Sequence, residues 1–314
     1  MSPRTKAALL TLALAALWGL TFPMTRWTVT VAGMDPIAYS GFKYLFAFLA
    51  LLPIAFRRPG PLPETRRGKP PGKLLWLWAG LAAGFIQTAY GVLQYAGLVY
   101  TTSGKAAFIG GLYVVIVPLL AMAGGRLPGP RVWTGLVLGV IGLWFISGPQ
   151  AGLGQLNLGD GLSLLSATFL ALHVIITARF ANRVDSVRFV TVQVAIASAV
   201  SFAIAFARGD MPDAAVIWIT LPFTLYGIIS LAGGIMIQTA AQKSMRASEV
   251  ALMLQLQGVF AAVFGMIFLH EVMTPAMWLG AALVVAGSIA AQSLSRRKGE
   301  NHSEPESVAA AAGQ

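Results

Sequence analysis

The feature that most constrains this chain is a succession of apolar stretches, each about as long as a membrane is thick. A helix needs about 20 mostly apolar residues to cross the hydrocarbon core of a bilayer. Only 11% of the 314 residues are charged, against about a quarter in a soluble domain. We therefore predict an all-α membrane protein with ten transmembrane helices, at 8–30, 36–56, 74–98, 103–124, 131–148, 160–179, 188–207, 215–238, 248–269 and 275–293.

The basic residues are distributed unevenly between the two sides that these spans define. If the N-terminus is cytoplasmic, every one of the 22 Lys and Arg residues lies in a cytoplasmic segment except Arg26, Lys43, Lys105 and Arg208. Cytoplasmic loops of membrane proteins carry an excess of Lys and Arg. The sequence thus predicts a multi-pass protein of the bacterial inner membrane, with the N- and C-termini both cytoplasmic. This distribution explains the net charge of +11 without a nucleic-acid partner.

The fifth and tenth predicted spans resemble each other. Residues 130–142 read PRVWTGLVLGVIG and residues 275–287 read PAMWLGAALVVAG, which are identical at six of thirteen positions without a gap. Each copy then holds five spans, and an odd number reverses the topology of the second copy. We predict two inverted five-helix repeats, 1–148 and 149–295, followed by a disordered tail, 296–314. Inverted repeats are typical of secondary transporters, whose binding site lies near the midplane between the copies.

Motifs of the main rival class, a membrane enzyme, are missing from the sequence. It contains no H-E-x-x-H, no G-x-S-x-G and no pair of aspartates inside the spans, and it has no cysteine to serve as a nucleophile or a metal ligand. It also contains no P-loop, so direct ATP drive is not expected. We predict no metal site and no cofactor. A secondary carrier that alternately exposes a central site is favoured, and an integral membrane enzyme is the weaker alternative.

Short motifs in both halves resemble one transporter family. They are LWGLTF at 17–22, YSGFKYLFAF at 39–48, and a W-x-G-x6-G pattern that ends each half. Together with the inverted five-helix copies, they resemble the EamA-type exporters of the drug/metabolite transporter superfamily over about residues 7–293. Lys43 stands where that family usually carries an arginine. Within the superfamily, the chain resembles the YddG-type exporters of aromatic and other hydrophobic amino acids.

The resemblance implies export of a small molecule from the cytoplasm, either coupled to protons or simply downhill. We expect small hydrophobic or aromatic amino acids or related metabolites as substrates, and a protein that functions as a monomer in the lipid bilayer. The alternative within the superfamily is export of another metabolite or a drug.

Lys43 is the most unusual residue of the predicted spans. It lies about two turns below the helix start at Asp35–Pro36, and a charge at a helix centre costs about 2.5–3.5 kcal/mol on insertion scales. One reading has the lysine extending to the headgroups of the bilayer. The other has it facing an internal cavity, where it pairs with an acidic side chain or a substrate carboxylate.

Two other ionisable residues are candidates for coupling transport to protons. Glu271 lies at the end of the ninth predicted span beside His270, either as an interfacial group, as a proton-linked carboxylate, or as the partner of Lys43. His173 lies beyond the middle of the sixth predicted span, where it makes an interhelical hydrogen bond or titrates near neutral pH.

Polar and aromatic residues recur at spacings of three and four on several predicted spans, so they share helix faces. Such stripes serve either as packing contacts between helices or as the lining of a cavity. A cavity of amides, hydroxyls and rings suits a substrate with a large apolar side chain. The predicted substrate-binding residues are Trp18, Phe22, Lys43, Gln87, Tyr90, Gln94, Phe108, Tyr113, His173, Tyr226, Gln238 and Gln257.

Overall fold

The secondary structure of the described chain is helical throughout. The structure is a computed structural model and describes residues 2–57, 74–121, 130–147, 157–180, 184–234, 237 and 253–292. The helices, in chain order, are α1 (Pro3–Thr30), α2 (Pro36–Arg57), α3 (Leu75–Tyr100), α4 (Ser103–Gly111), α5 (Tyr113–Ala121), α6 (Pro130–Ser147), α7 (Leu158–Phe180), α8 (Ser186–Arg208), α9 (Ala214–Gly227), α10 (Gln257–Leu269) and α11 (Pro275–Gln292).

Six of these helical stretches are long and apolar enough to cross a membrane, and others are apolar but shorter. The long ones are Thr5–Thr30, Pro36–Phe56, Leu75–Tyr100, Leu158–Thr177, Val187–Arg208 and Ala214–Leu231. This confirms the predicted all-α, multi-pass membrane class. The count of ten spans, the inverted repeats and the side on which the termini lie remain predictions.

Two of the predicted spans are less regular than expected. The span at 103–124 is divided at Leu112, whose N–H bonds to the carbonyl of Ile109, so that α4 ends and α5 begins there. The span at 215–238 continues beyond α9 as a π-helix, Ile228–Gly233. Such π-helical turns are rare and occur frequently at functional sites.

Helices α6 and α11, which carry the repeated sequence, pack against each other in opposite directions. A Cβ atom placed on Gly142 would lie 2.7 Å from the carbonyl oxygen of Gly280, and one on Gly287 would lie 2.7 Å from that of Gly135. Only glycine permits backbones to approach so closely. The repeat aligns Gly135 with Gly280 and Gly142 with Gly287, so exchanging the two copies converts one contact into the other. This is the geometry of a local two-fold axis between the two helices.

The other large contacts also join the first half of the chain to the second. Helix α3 packs on α7 and α8, α2 packs on α8, and α1 packs on α10. Two contacts show the relative direction of α2 and α8. Ser198 of α8 donates to the carbonyl of Gly41, and Ser201 contacts Ser40, so the two helices run antiparallel. We call the end of the bundle where α1 ends and α2 begins the outer end, because the charge distribution predicts that it faces the periplasm.

Candidate functional site

Basic residues that fall outside the predicted cytoplasmic segments all lie in the outer half of the bundle, and most of them have an acidic partner. Three form ion pairs, which are Arg26–Glu271 at 2.5 Å, Lys105–Asp160 at 2.9 Å and Arg208–Asp210 at 2.7 Å. The first two pairs are buried or half-buried, whereas Arg208 is exposed. The fourth basic residue, Lys43, forms no ion pair within the described residues.

Glu271 is held by groups from two other helices. Its Oε1 accepts from Arg26 of α1 and, at 2.8 Å, from the hydroxyl of Ser103, while the backbone N–H of Ser103 donates to the same carboxylate. His270 directs the chain there, because its left-handed backbone (φ 53°) ends α10. Glu271 therefore pairs with Arg26 and not with Lys43, which was one of the alternatives open from the sequence.

The Lys105–Asp160 pair was not foreseen from the sequence. Lys105 lies in the first turn of α4, and Asp160 lies in the first turn of α7, where it is almost fully buried and also accepts from the hydroxyl of Thr101 at 2.7 Å. The pair could have been predicted from the two opposite charges at the outer ends of predicted spans, since a buried charge requires a partner. The sequence places Asp160 at the first residue of the predicted span 160–179 and does not connect it to the lysine.

Lys43 lies inside the bundle with only 5% of its surface exposed. Its Nζ is 5.1 Å from the centre of the Tyr95 ring and 5.9 Å from that of Tyr39, within the range of cation–π attraction. Its side-chain stem packs on α9, where a Cβ on Gly227 would come within 2.6 Å of the lysine Cγ. The ammonium has no hydrogen-bond acceptor and no carboxylate among the described residues. It is therefore directed into the protein and not along the lipid interface.

The two rings that face Lys43 belong to a tyrosine cluster, which we define as Tyr39, Tyr44 and Tyr95. Tyr39 and Tyr95 meet edge to face, with ring centres 5.3 Å apart. The Tyr39 hydroxyl accepts from Thr25 at 3.2 Å, and the Tyr44 hydroxyl accepts from the Gln87 amide at 2.8 Å. All three rings are buried. The cluster thus joins α1, α2 and α3 around one unpaired cation.

The polar stripe of α3 continues from Gln87 towards α7. Ser166 of α7 lies 3.1 Å from the Gln94 side-chain oxygen and 3.2 Å from the Tyr90 carbonyl. Gln94 is buried, yet its amide nitrogen has no partner within the described residues. An unsatisfied buried amide costs free energy.

Trp18 and Tyr226 connect α1 to the irregular end of α9. The Trp18 indole donates to the carbonyl of Ser230 in the π-helix at 2.7 Å, and the Tyr226 hydroxyl donates to the carbonyl of Leu17 at 2.9 Å. Phe22 is half-buried one turn further along α1. The predicted aromatic residues of α1 are thus close to the helix that contacts Lys43.

His173 makes the interhelical hydrogen bond that was one of its two interpretations. Its Nε2 lies 2.7 Å from the side-chain oxygen of Gln193, which joins α7 to α8. Gln193 is buried, and its amide nitrogen has no partner among the described residues. The imidazole is half-buried and lies on a different pair of helices from Lys43.

The remaining predicted substrate-binding residues have no described contact with Lys43. Phe108 is buried in an apolar cluster with Ile146 and Val284, which is a packing position. Tyr113 is half-buried at the start of α5, and Gln257 begins α10. Gln238 lies outside the described residues.

No group of three or more metal-ligating side chains occurs in the described parts of the chain. The acidic residues there are single and are engaged with arginine, lysine or backbone N–H groups. The candidate site in the described structure is therefore Lys43 with the rings of Tyr39 and Tyr95.

A comparison with models of protein families identifies the family of this chain. The model of the EamA-like transporter family matches residues 5–148 and again residues 157–291, which together span most of the chain. The chain belongs to the EamA-like transporter family. The protein is therefore a membrane transporter, and its two family matches fall one in each half of the chain.

Relatives of this EamA-like transporter carry the same general description. An uncharacterized transporter of Archaeoglobus fulgidus is 28% identical over 283 residues, which is 88% of this chain and 83% of the relative. The uncharacterized transporter YvbV of Bacillus subtilis is 28% identical over 290 residues, covering 90% of each chain. A solved crystal structure, with 17% identity and a TM-score of 0.59 over 94% of this chain and 99% of its own, shares the fold.

Proposed function

We propose that this EamA-like transporter exports small hydrophobic or aromatic amino acids or related metabolites from the cytoplasm across the bacterial inner membrane, as a monomer working by alternating access. The observation that carries the proposal is Lys43, a buried cation with no carboxylate partner in the described structure. A buried charge without a partner is strongly destabilising in a protein. Such a charge is retained where a ligand supplies the opposite charge.

The surroundings of Lys43 favour a substrate with an aromatic or bulky aliphatic side chain. Tyr39 and Tyr95 both place their rings near the ammonium, and Trp18 lies on α1 near the π-helix that follows α9. Aromatic rings pair in edge-to-face and offset geometries that add to the free energy of burial. One cation allows one carboxylate to bind, which disfavours substrates that carry several phosphates.

Alternating access is supported by the contacts between the two halves. The glycine contacts between α6 and α11 are related by exchange of the repeats. At the outer end, Arg26–Glu271 and Lys105–Asp160 each join a residue of the first half to a residue of the second. Opening a path to the outer side would require these two pairs to separate, so we assign them the role of an outer closure.

Energy coupling has two candidates in the described chain, Glu271 and His173. Protonation of Glu271 would remove the charge that holds Arg26 and Ser103, and so would weaken the outer closure. His173 holds only Gln193. We therefore assign proton coupling, if a proton gradient drives transport, to Glu271 first.

Uptake into proteoliposomes tests the proposed function. Purified protein is reconstituted, and a panel of radiolabelled amino acids is offered with and without a pH gradient. We expect saturable transport of aromatic or bulky aliphatic members. Lys43→Ala should abolish transport, and Lys43→Arg should retain it because the charge is kept. Arg208→Ala is the matched control, since it removes an exposed basic residue from the outer end.

Two results would contradict the proposal. Transport of no aromatic or bulky aliphatic substrate would remove the substrate class. Normal transport by Lys43→Ala would show that the buried cation serves packing alone.

A further inference from the structure

The acidic residues of the described chain are all occupied by partners other than Lys43. The chain has 11 Asp and Glu residues. Among those in the described parts, three accept from backbone N–H groups at helix starts: Asp35, Asp185 and Asp213. The other three form ion pairs: Asp160, Asp210 and Glu271. The described bundle therefore offers a positive charge for a ligand's carboxylate and no free carboxylate for a ligand's ammonium.

Two hydroxyls of the tyrosine cluster already accept hydrogen bonds from neighbouring side chains. The Tyr39 oxygen accepts from Thr25, and the Tyr44 oxygen accepts from Gln87. Lys43 has no acceptor among the described residues, so its ammonium is the donor available to an anionic ligand.

An amino acid would satisfy this region only in part. Its carboxylate would neutralise Lys43, but its ammonium would enter a buried region that already contains a cation and whose described residues include no free carboxylate. A buried charge left without a partner carries a large desolvation cost. A ligand with the same apolar side chain and only the carboxylate would neutralise Lys43 and bring no second cation.

We infer that the preferred substrates are hydrophobic or aromatic monocarboxylates that lack an ammonium group, such as arylalkanoic acids and 2-oxo acids. This inference rests on the proposed function, because it specifies the charge of the substrate that binds at Lys43. The substrate then carries one net negative charge, whereas a neutral amino acid carries none.

The charge of the substrate also determines what can drive its export. A membrane potential that is negative inside moves anions outward, because each elementary charge gains free energy in crossing the field. A monocarboxylate can therefore be exported against its concentration gradient without a coupled ion. A zwitterion gains nothing from the same potential.

Four compounds built on one phenyl ring test the inference on the full-length protein in detergent. They are 3-phenylpropanoate, phenylalanine, 2-phenylethylamine and 3-phenylpropanamide, and binding is measured by isothermal titration calorimetry. We expect 3-phenylpropanoate to bind about tenfold more tightly than phenylalanine, the factor expected for a desolvated charge left without a partner. Lys43→Gln should lower binding of the propanoate to about that of the amide, and Arg208→Gln should leave the order unchanged.

Flux in proteoliposomes gives a second readout that does not depend on affinity. A potassium gradient with valinomycin sets the voltage. We expect movement of 3-phenylpropanoate out of the negative compartment to accelerate with voltage. Equal flux at all voltages would overturn the inference.

The results separate this inference from the proposed function. Binding of phenylalanine as tight as that of the propanoate would overturn the monocarboxylate preference and leave amino acid export standing. Failure of both compounds to bind would overturn both. Glu249 lies outside the described residues, so Glu249→Gln is included; selective loss of phenylalanine binding in this variant would reveal a partner for the ammonium and overturn the inference.

Discussion

At the scale of single residues, the buried charges of this transporter fall into two kinds. Lys105 and Asp160 are buried together, and the aspartate receives a second hydrogen bond from Thr101. Lys43 is buried with aromatic rings and without an anion in the described structure. The first arrangement is complete within the protein, and the second lacks one component. We expect a ligand to supply the missing component at Lys43, and we expect the complete pair to stabilise the structure in which it is formed.

Removing one member of the complete pair should destabilise the fold. Asp160→Asn leaves Lys105 buried without its partner, which costs about 3–5 kcal/mol when a buried pair is broken. Asp210→Asn is the matched control, because its pair with Arg208 is largely exposed and should contribute about 0–1 kcal/mol. Thermal unfolding in detergent measures both. A melting temperature of Asp160→Asn equal to that of the control would show that the buried pair has no structural role.

At the scale of helices, small residues determine which elements meet. Helices α6 and α11 approach at Gly142–Gly280 and Gly135–Gly287. Lipid chains are as apolar as the helix surfaces, so association depends on close packing and not on the hydrophobic effect. The positions of the short helices α6, α10 and α11 therefore depend on close packing against their neighbouring helices.

A methyl group at the α6–α11 contact should weaken it. Gly142→Ala places a Cβ 2.7 Å from the carbonyl oxygen of Gly280, and overpacking costs about 1–3 kcal/mol. Gly161→Ala is the control, since nothing lies within 4 Å of the added atom and alanine is the better helix former by about 1 kcal/mol. Urea or thermal unfolding should rank Gly142→Ala below the wild type and Gly161→Ala at or above it. The reverse order would contradict the close contact.

At the scale of the whole molecule, the predicted orientation assigns each end of the bundle to one side of the membrane. The two buried ion pairs lie at the outer end, together with the loop between α1 and α2. The predicted cytoplasmic side carries the other basic residues, apart from Lys43 and Arg208. A transporter that moves an anion outward would thus bind it below an outer closure made of paired charges.

The absence of native cysteine allows this orientation to be measured directly. Val31 is 63% exposed just beyond α1, so Val31→Cys in intact cells should react with a membrane-impermeant maleimide. Ser2→Cys at the opposite end of α1 should react only after the membrane is permeabilised. Labelling of Ser2→Cys in intact cells would reverse the predicted orientation and would place the ion pairs at the cytoplasmic side.

Much of the helical architecture is predictable from hydropathy and helix signals. The predicted span at 36–56 agrees with Pro36–Arg57 to within one residue, because Asp35 binds the N–H groups of Ile37 and Ala38 at the helix start. The division at Leu112 and the π-helix were not predicted, because hydropathy carries no information about the hydrogen-bonding pattern within a helix.

The sequence by itself determined the membrane class, the family resemblance and the unusual lysine, because these depend on composition and local order. It left the partner of each charge open. Arg26 and Glu271 are 245 residues apart in the chain, and Lys105 and Asp160 are 55 apart. Only the packing of α1 on α10 and of α4 on α7 brings them together. The tertiary structure decided that Glu271 belongs to Arg26, and it left Lys43 without an anionic partner among the described residues.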